Sequence, residues 1–254
     1  LRFLAHYIVY FYLMLACTIS LVHPVLVAAH SNYRFERFGI EDGLSQSTVY
    51  CMLQDQRGFI WLGTQDGLNR FDGYKFKVYK PNGNSFIDLQ SSSIKALLED
   101  RDGKLWVGTE YGGLSVFDRT LEQFTTFLHN PKDSTSISHN SVTALCTDRE
   151  GRLWIGTEGG GLNRYDHRTN AFIRVDLKDK QDITSGYEHI WCLATDFRGR
   201  VWVGTHNEGL YTLDPEKFTT EHVSLQPKDD EKSGHNIIYS MVVRNKNELW
   251  VGTA

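Results

Sequence analysis

Apolar positions recur along the chain with a spacing of 45 to 48 residues, and each recurrence has the same form. A turn signal of the type Asp-x-x-Gly is followed, after one more residue, by an apolar residue, a tryptophan, a second apolar residue and Gly-Thr. The tryptophans of the five copies are Trp61, Trp106, Trp154, Trp202 and Trp250. A period in this range, made of short apolar runs, predicts an array of similar supersecondary units.

Polar turn residues divide each copy into four short strands. In the third copy we predict strands over 141–147, 152–157, 161–165 and 171–175. The turn aspartate can accept hydrogen bonds from backbone N–H groups ahead of it, while the turn glycine takes positive φ. These structural aspartates are Asp55, Asp100, Asp148 and Asp196. The fifth copy has Arg244 and Asn247 instead, and asparagine also tolerates the left-handed region, so a turn is predicted there too.

The first strand of each copy is apolar at nearly every position, which is typical of the crowded inner strand of a propeller blade. One position in it is always small: Cys51, Ala96, Ala144, Cys192 and Ser240. Radial repetition covers the apolar faces of such sheets and leaves only short edges. We therefore predict an all-β fold, a β-propeller of four-stranded blades, with repeats over about 40–80, 86–128, 136–176, 185–225 and 234–254. An open solenoid is less favoured because its repeats are usually shorter.

The number of repeats predicts an incomplete propeller, with roughly four and a half blades of an expected seven. The 254 residues are thus expected to be a fragment of a longer polypeptide. Residues 34–38 are predicted as a fourth strand that arrives before any first strand. Because the faces of the end blades would be uncovered, residues 30–254 alone are expected to be poorly soluble.

Residues 1–29 differ in kind from the rest. An apolar run over 3–22 follows Arg2, and Val27-Ala28-Ala29 supplies small residues suited to signal-peptidase cleavage. We predict a signal peptide, with an uncleaved membrane anchor as the alternative. Either interpretation places the 30–254 propeller outside the cytoplasm.

Composition excludes several classes of function. The net charge is −4 and no basic cluster is present, so nucleic acid is not an expected partner of this segment. The cysteines fit small buried positions better than disulfides, and no Cys or His spacing matches a zinc site. No constellation of a nucleophile and a base is apparent. We expect no metal, no cofactor and no catalytic residue here.

The phrase Glu41-Asp-Gly-Leu-Ser-Gln-Ser-Thr-Val49, with the Asp-x-x-Gly-x-Φ-Trp-Φ-Gly-Thr repeats (Φ, apolar) and Gly-Leu-Asn-Arg-aromatic-Asp, resembles the two-component regulator propeller family. The resemblance covers about residues 33–254, although copies two and four depart from it in the third strand. It implies the periplasmic sensor region of an inner-membrane receptor that dimerises and crosses the membrane through a later helix. The implied output is a histidine kinase or a diguanylate cyclase, and the implied ligand is a saccharide.

Candidate ligand residues are those that vary within the repeat. At the position eleven residues before the tryptophan, Thr143 stands alongside the candidates Trp191, Tyr50, Tyr239 and Lys95. The loop between the second and third strands adds Asp66, Glu110, Tyr111, Glu158, His206 and Asn207. Loops on a rigid scaffold commonly carry ligand groups, although a solvated turn explains any one of these residues, and packing explains Trp191 equally well. The repeated tryptophans are better explained as structural core residues.

The sequence leaves three further functions open beside a kinase-linked sensor. These are the sensor region of a diguanylate cyclase, a non-catalytic protein-interaction scaffold, and a secreted polysaccharide-active propeller enzyme. A sialidase-like enzyme would need converging arginines with a Tyr/Glu pair, and we assign none.

Overall fold

The computed structural model describes residues 35–81, 83, 88–177, 189–225 and 237–254. The predicted signal segment, 1–29, lies outside the described residues. Every helix and strand given below belongs to one compact unit, 38–254. Within the described part of the chain, no helix is both long enough and apolar enough to cross a membrane.

The unit begins with a short 3-10 helix, Ile40–Asp42, and then consists of antiparallel strands in chain order. Blade 1 contains β1 Val49–Gln54, β2 Ile60–Thr64, β3 Gly67–Phe71 and β4 Phe76–Tyr79. Blade 2 contains β5 Ile94–Glu99, β6 Leu105–Thr109, β7 Leu114–Asp118 and β8 Gln123–Phe127. Blade 3 contains β9 Val142–Thr147, β10 Leu153–Thr157, β11 Gly161–Asp166 and β12 Ala171–Val175. Blade 4 contains β13 Ile190–Thr195, β14 Val201–Thr205, β15 Leu210–Asp214 and β16 Thr219–Val223, and blade 5 contains β17 Ile238–Asn245 and β18 Glu248–Thr253.

The sheets are arranged as the blades of a propeller, which confirms the predicted fold. The first strand of each blade contacts the first strand of the next, from β1 through β5, β9 and β13 to β17. In blade 3 the predicted strand ends agree with the observed ones to within one residue.

The segment before the first blade is not the strand that the sequence predicts. Residues 35–39 have no strand, and the predicted position 34 lies outside the described residues. A strand needs a neighbour for its backbone groups, and the described strands do not provide one here. Instead, the Phe38 ring packs 4.9 Å from that of Phe71 and 6.2 Å from that of Phe76.

The Asp-x-x-Gly turns contain a hydrogen bond that the sequence alone did not reveal. As predicted, Asp55 Oδ1 accepts hydrogen bonds from the N–H groups of Arg57 and Phe59, and Gly58 has φ +88°. In addition, Asp55 Oδ2 accepts a hydrogen bond of 2.8 Å from Trp61 Nε1. The same bond joins the turn aspartate to the tryptophan in blades 2, 3 and 4, at 2.7, 2.9 and 3.0 Å. Turn and core are thereby tied together in each complete blade.

The turn of blade 5 is closed differently from our prediction. Asn247 is not among the described residues with positive φ. The side chain of Asn245 takes the place of the aspartate, because its Oδ1 accepts a hydrogen bond from Asn247 N–H at 3.0 Å. Trp250 Nε1 donates to Glu248 Oε1 at 2.9 Å, on the exposed surface.

Each of the first three tryptophans packs against the following blade. Trp61 is 5.5 Å from the ring of Phe117 in blade 2, and Trp106 is 5.2 Å from that of Tyr165 in blade 3. Trp154 lies in one cluster with Val201 and residues of blade 4. All three tryptophans are buried. The core therefore lies between blades as much as within them.

Candidate functional site

A β-bulge occupies the same place in every inner strand. In blade 1, Val49 pairs with Thr64 but Cys51 pairs with the adjacent Gly63, so Tyr50 is an extra residue. The pairing of the other four inner strands shifts in the same way. The extra residues are Tyr50, Lys95, Thr143, Trp191 and Tyr239. A bulge re-aims a side chain, so the variable positions of the repeat are those that the backbone turns out of the regular pleat.

The bulges bring these residues to the same end of the blades as the variable loops. Each bulge lies opposite the last residues of the second strand, such as Gly63 and Thr64, and the loop to the third strand begins there. We call this end, with its five bulge residues and the loops after β2, β6, β10 and β14, the bulge face. The Asp-x-x-Gly turns lie at the opposite end of the blades.

A fixed cation lies on the bulge face of blades 1 and 2. Lys95 Nζ is 3.0 Å from Glu110 Oε2 and 3.9 Å from the centre of the Tyr50 ring, a cation–π geometry. Ser93 Oγ donates a 2.8 Å hydrogen bond to Glu110 Oε2. Hydrogen bonds from Ser93 and then Lys95 hold the pKa of the Glu110 carboxyl below its ordinary value. This group is charged, partly exposed and held in place by contacts between two blades.

An aromatic group lies on the bulge face of blades 4 and 5. The Trp191 ring is 4.4 Å from that of His206 and 4.9 Å from that of Tyr239. Half of the Tyr239 side chain is exposed, and Asn207 is exposed beside His206. These rings offer a partly exposed apolar surface with polar edges.

In blade 3, between the two groups, the variable residues bond to groups of blade 3 itself and of blade 4. The Thr143 hydroxyl donates to the backbone oxygens of Ile190 and Gly156. Glu158 Oε2 accepts a 3.2 Å hydrogen bond from Ser141, and the Glu158 backbone forms a β-bridge with His189. Nearby, burial lowers the pKa of His139, and the charges of His129 and His189 lower it further while Glu158 opposes them.

Two predicted residues stand apart from these groups. The Asp66 carboxylate pairs with Lys80 Nζ at 2.6 Å, on the side of the fourth strand. Tyr111 is 72% exposed, in a left-handed conformation with φ 69°. The described contacts thus gather the candidates into two groups, Tyr50–Lys95–Glu110 and Trp191–Tyr239–His206.

Sequence reasoning missed Ser93, Ser141 and His189, which support the loops. The backbone oxygen of each accepts a hydrogen bond from the first loop residue: Glu110, Glu158 and His206, respectively, at 2.9 Å. A signal was available, because the residue thirteen before the tryptophan is polar in each of the first four copies: Thr48, Ser93, Ser141 and His189. In the described ranges, no group of three or more His, Cys, Asp or Glu side chains is placed to hold a metal ion.

The model of the two-component regulator propeller matches four segments, 43–66, 88–111, 136–159 and 185–207. Each segment begins five or six residues before the inner strand and ends in the loop on the bulge face. A 57-residue stretch of this chain is 53% identical to histidine kinase P4 of Formosa agariphila. The stretch makes up 22% of this chain and 4% of that protein.

Two solved structures from B. thetaiotaomicron have a similar fold. The extracellular domain of BT3049, a proposed hybrid two-component system, matches with a TM-score of 0.74 and 25% identity over 86% of this chain and 29% of its own. That of BT4673, a proposed one-component system, matches with a TM-score of 0.69 and 23% identity over 87% and 31%. The chain therefore spans less than a third of either domain.

Proposed function

Because this chain carries two-component regulator propeller repeats, we propose that it is part of the extracellular sensor region of a two-component signalling receptor. The proposed output is a histidine kinase, and the proposed ligand is a saccharide. The observation that carries the ligand proposal is the aromatic group of Trp191, Tyr239 and His206 on the bulge face.

The chemistry of the bulge face supports a saccharide. Sugar rings have apolar C–H faces and polar edges, and ligand sites commonly combine aromatic walls with a few placed polar groups. Trp191 and Tyr239 supply the aromatic surface, while Lys95 and Glu110 supply a donor and an acceptor on the same face. The match to the extracellular domain of a proposed hybrid two-component system supports the receptor role.

Signalling by such a site requires that the ligand bind one arrangement of the receptor better than another. The bulge residues are suited to this, because their contacts join neighbouring blades. Lys95 of blade 2 lies over Tyr50 of blade 1, and Trp191 of blade 4 packs on Tyr239 of blade 5. A ligand on these rings would change the packing between blades and, through it, the packing of domains or of the two protomers of a dimer.

Calorimetry of the full-length protein against a panel of oligosaccharide fragments tests the proposal. We expect one fragment class to bind, and Trp191→Ala to weaken it at least about tenfold, as loss of an anchoring tryptophan does at other interfaces. Tyr74→Ala is the control, since Tyr74 is a fully exposed aromatic residue in the β3–β4 turn, at the other end of the blade. Normal signalling with no binding to any fragment would remove the sensor role from this surface.

The coding sequence after residue 254 provides a second test. A transmembrane helix followed by kinase motifs would support the proposed receptor, and cyclase motifs would move the output to a diguanylate cyclase. A stop codon after a few more blades would favour an interaction scaffold or a secreted enzyme, and an assay on polysaccharide would distinguish these two.

A further inference from the structure

The grooves between successive blades can be compared directly, because equivalent residues line them. In each, the tryptophan of the second strand pairs with one residue of the third strand: Arg70 in blade 1, Val116 in blade 2 and Arg164 in blade 3. The Arg70 guanidinium lies 5.8 Å from the Trp61 ring and 4.9 Å from that of Phe59. That of Arg164 lies 4.6 Å from the Phe218 ring of blade 4. Val116 is too short to fill the same space.

The neighbouring side chains are also smaller in the second groove than in the first. In the first groove, Lys77 and Arg70 form ion pairs with Glu122 of blade 2. The residues that correspond to Lys77 and Glu122 in the second groove are the smaller Thr125 and Asn170. The second groove consequently contains a cavity of about 430 Å³, which we call the blade 2–3 cavity. That volume lies within the range of about 300–1,000 Å³ that is usual for ligand sites.

The lining of the blade 2–3 cavity combines apolar walls with hydrogen-bonding groups. Val116 and Phe127 are apolar, and the Thr125 hydroxyl and the Asn170 amide stand near them. Two exposed cations, Arg57 and Lys104, lie at its edge.

One buried donor on this lining is unsatisfied. The Arg119 side chain is nine-tenths buried, and its two Nη atoms pair with Asp55 and Glu99. Its Nε atom has no hydrogen-bond partner. Buried polar groups are nearly always paired in folded proteins, so this residue of the lining is one hydrogen-bond acceptor short.

The negative charge on the lining is already engaged. Asp118 Oδ1 accepts hydrogen bonds from Leu121 N–H at 2.9 Å and from Thr120 N–H at 2.7 Å. These two bonds hold the pKa of Asp118 below its ordinary value. Arg57 and Lys104 outnumber this carboxylate, so the open side of the cavity favours an anion.

We propose that the blade 2–3 cavity is a second ligand site, which binds an acidic saccharide unit, a sugar ring that carries a carboxylate. The C–H face of the ring packs on Val116 and Phe127, and its hydroxyl groups bond to the Thr125 hydroxyl and to the Asn170 NH₂ group. Asn170 Oδ1 already accepts a hydrogen bond from the Tyr165 hydroxyl. The carboxylate accepts hydrogen bonds from Arg57 and Lys104, which charge strengthens. It also brings an acceptor to the side of the cavity where Arg119 Nε has none. The saccharide class rests on the proposed function, but this site is formed by different residues from those of the bulge face, and it lies at the Asp-x-x-Gly end of the blades.

The test compares digalacturonate with its neutral counterpart of the same linkage, galactobiose, by calorimetry on the full-length protein. We expect digalacturonate to bind at least about tenfold more tightly, because charge-assisted hydrogen bonds are the stronger ones. Val116→Arg should abolish this binding without loss of folding, since the two sister grooves hold an arginine at the equivalent position. Arg57→Gln should weaken it about tenfold.

Ile173→Arg is the matched control for Val116→Arg. It adds the same charge to a partly exposed position on β12, facing the next groove, and should leave digalacturonate binding intact. Equal affinity for the two sugars, binding of neither, or wild-type binding by Val116→Arg would overturn the proposal. Trp191→Ala distinguishes the two sites, because it should weaken binding of the bulge-face ligand and leave digalacturonate binding in the blade 2–3 cavity unchanged.

Discussion

At the scale of single residues, the turn aspartate does more than the turn alone requires. One carboxylate oxygen accepts backbone N–H groups and the other accepts the indole N–H of the core tryptophan. In blade 1 the same oxygen, Asp55 Oδ2, also accepts a hydrogen bond from Arg119 Nη1 of blade 2 and forms an ion pair with it. The side chain is buried, and burial is the largest effect on its pKa and raises it. Hydrogen bonds from Trp61, Arg119 and Phe59 together outweigh burial, so the pKa of Asp55 lies below its ordinary value.

We predict that Asp100→Asn destabilises the protein by about 2 kcal/mol, within the range for hydrogen bonds to charged groups. Asp100 Oδ1 accepts from Asp102 N–H and Lys104 N–H, and Oδ2 accepts from Trp106 Nε1. An asparagine has only one carbonyl oxygen, so it can accept either the two backbone N–H groups or the indole N–H. Its NH₂ group then faces a donor on the other side, and those hydrogen bonds are lost. Urea unfolding followed by tryptophan fluorescence measures the loss.

Asp118→Asn is the control for Asp100→Asn. Asp118 also accepts two backbone N–H groups, but it does so with Oδ1 alone and on the surface, so an asparagine can keep both bonds. A loss at Asp118 as large as that at Asp100 would show that the indole bond is not the source of the effect.

At the scale of the element, the small residues of the repeat explain how the blades approach each other. A Cβ atom added to the Gly of Trp-x-Gly-Thr in any of the first four blades would meet the first residue of the next inner strand. The pairs are Gly63 with Ile94, Gly108 with Val142, Gly156 with Ile190, and Gly204 with Ile238. On the same blade, the small position of the inner strand, such as Ala144, faces the same glycine. Close packing of inner strands therefore requires both.

Gly156→Ala is expected to cost about 1–3 kcal/mol, the usual cost of overpacking a filled core. Its Cβ would lie 2.5 Å from Ile190 Cγ2 and 3.3 Å from Ala144 Cβ. Neither atom can move away by a side-chain rotation, because Cγ2 is a methyl group on the branched Cβ of a buried isoleucine and the alanine Cβ is bonded to the backbone. Gly252→Ala is the matched control, because the close atom there is the Ser240 hydroxyl, which can rotate. Thermal unfolding compares the two variants, and an equal effect would contradict the role of the glycine in blade spacing.

The strands could be predicted from the sequence because their period of apolar positions and their turn residues are local properties. On β9, Val142, Ala144 and Cys146 are buried and the residues between them are half-buried, which fits an inner strand that is apolar at nearly every position. The bulge could not be predicted, since it depends on the pairing register between the first and second strands, which leaves Tyr50 or Lys95 without a partner residue. The candidate positions were found as variable ones, yet their division into two groups follows from contacts between blades, which no single repeat contains.

At the scale of the whole molecule, burial of the repeated tryptophans depends on the next blade. Trp61 and Trp106 are each 1% exposed, because the third strand of the following blade covers them. Trp250, in the last blade described, is 59% exposed, and Val242 next to it in the ladder is 62% exposed. The residue type is the same in all five blades, but blade 5 has two described strands and no described blade after it. The strands packed beside the indole therefore decide whether it is buried or exposed.

We predict from this difference that residues 30–254, produced alone, self-associate through the face of blade 5. Exposed apolar patches of this kind drive association because burial of each large side chain is worth about 1.5–3 kcal/mol. Light scattering over a concentration series should show growing particles, and Val242→Lys with Trp250→Lys should suppress them. Phe197→Lys, a change at an exposed aromatic residue in the Asp-x-x-Gly turn of blade 4, should not. A monomeric wild-type segment with one cooperative melting transition would mean that the open face is stable in water without a neighbouring blade.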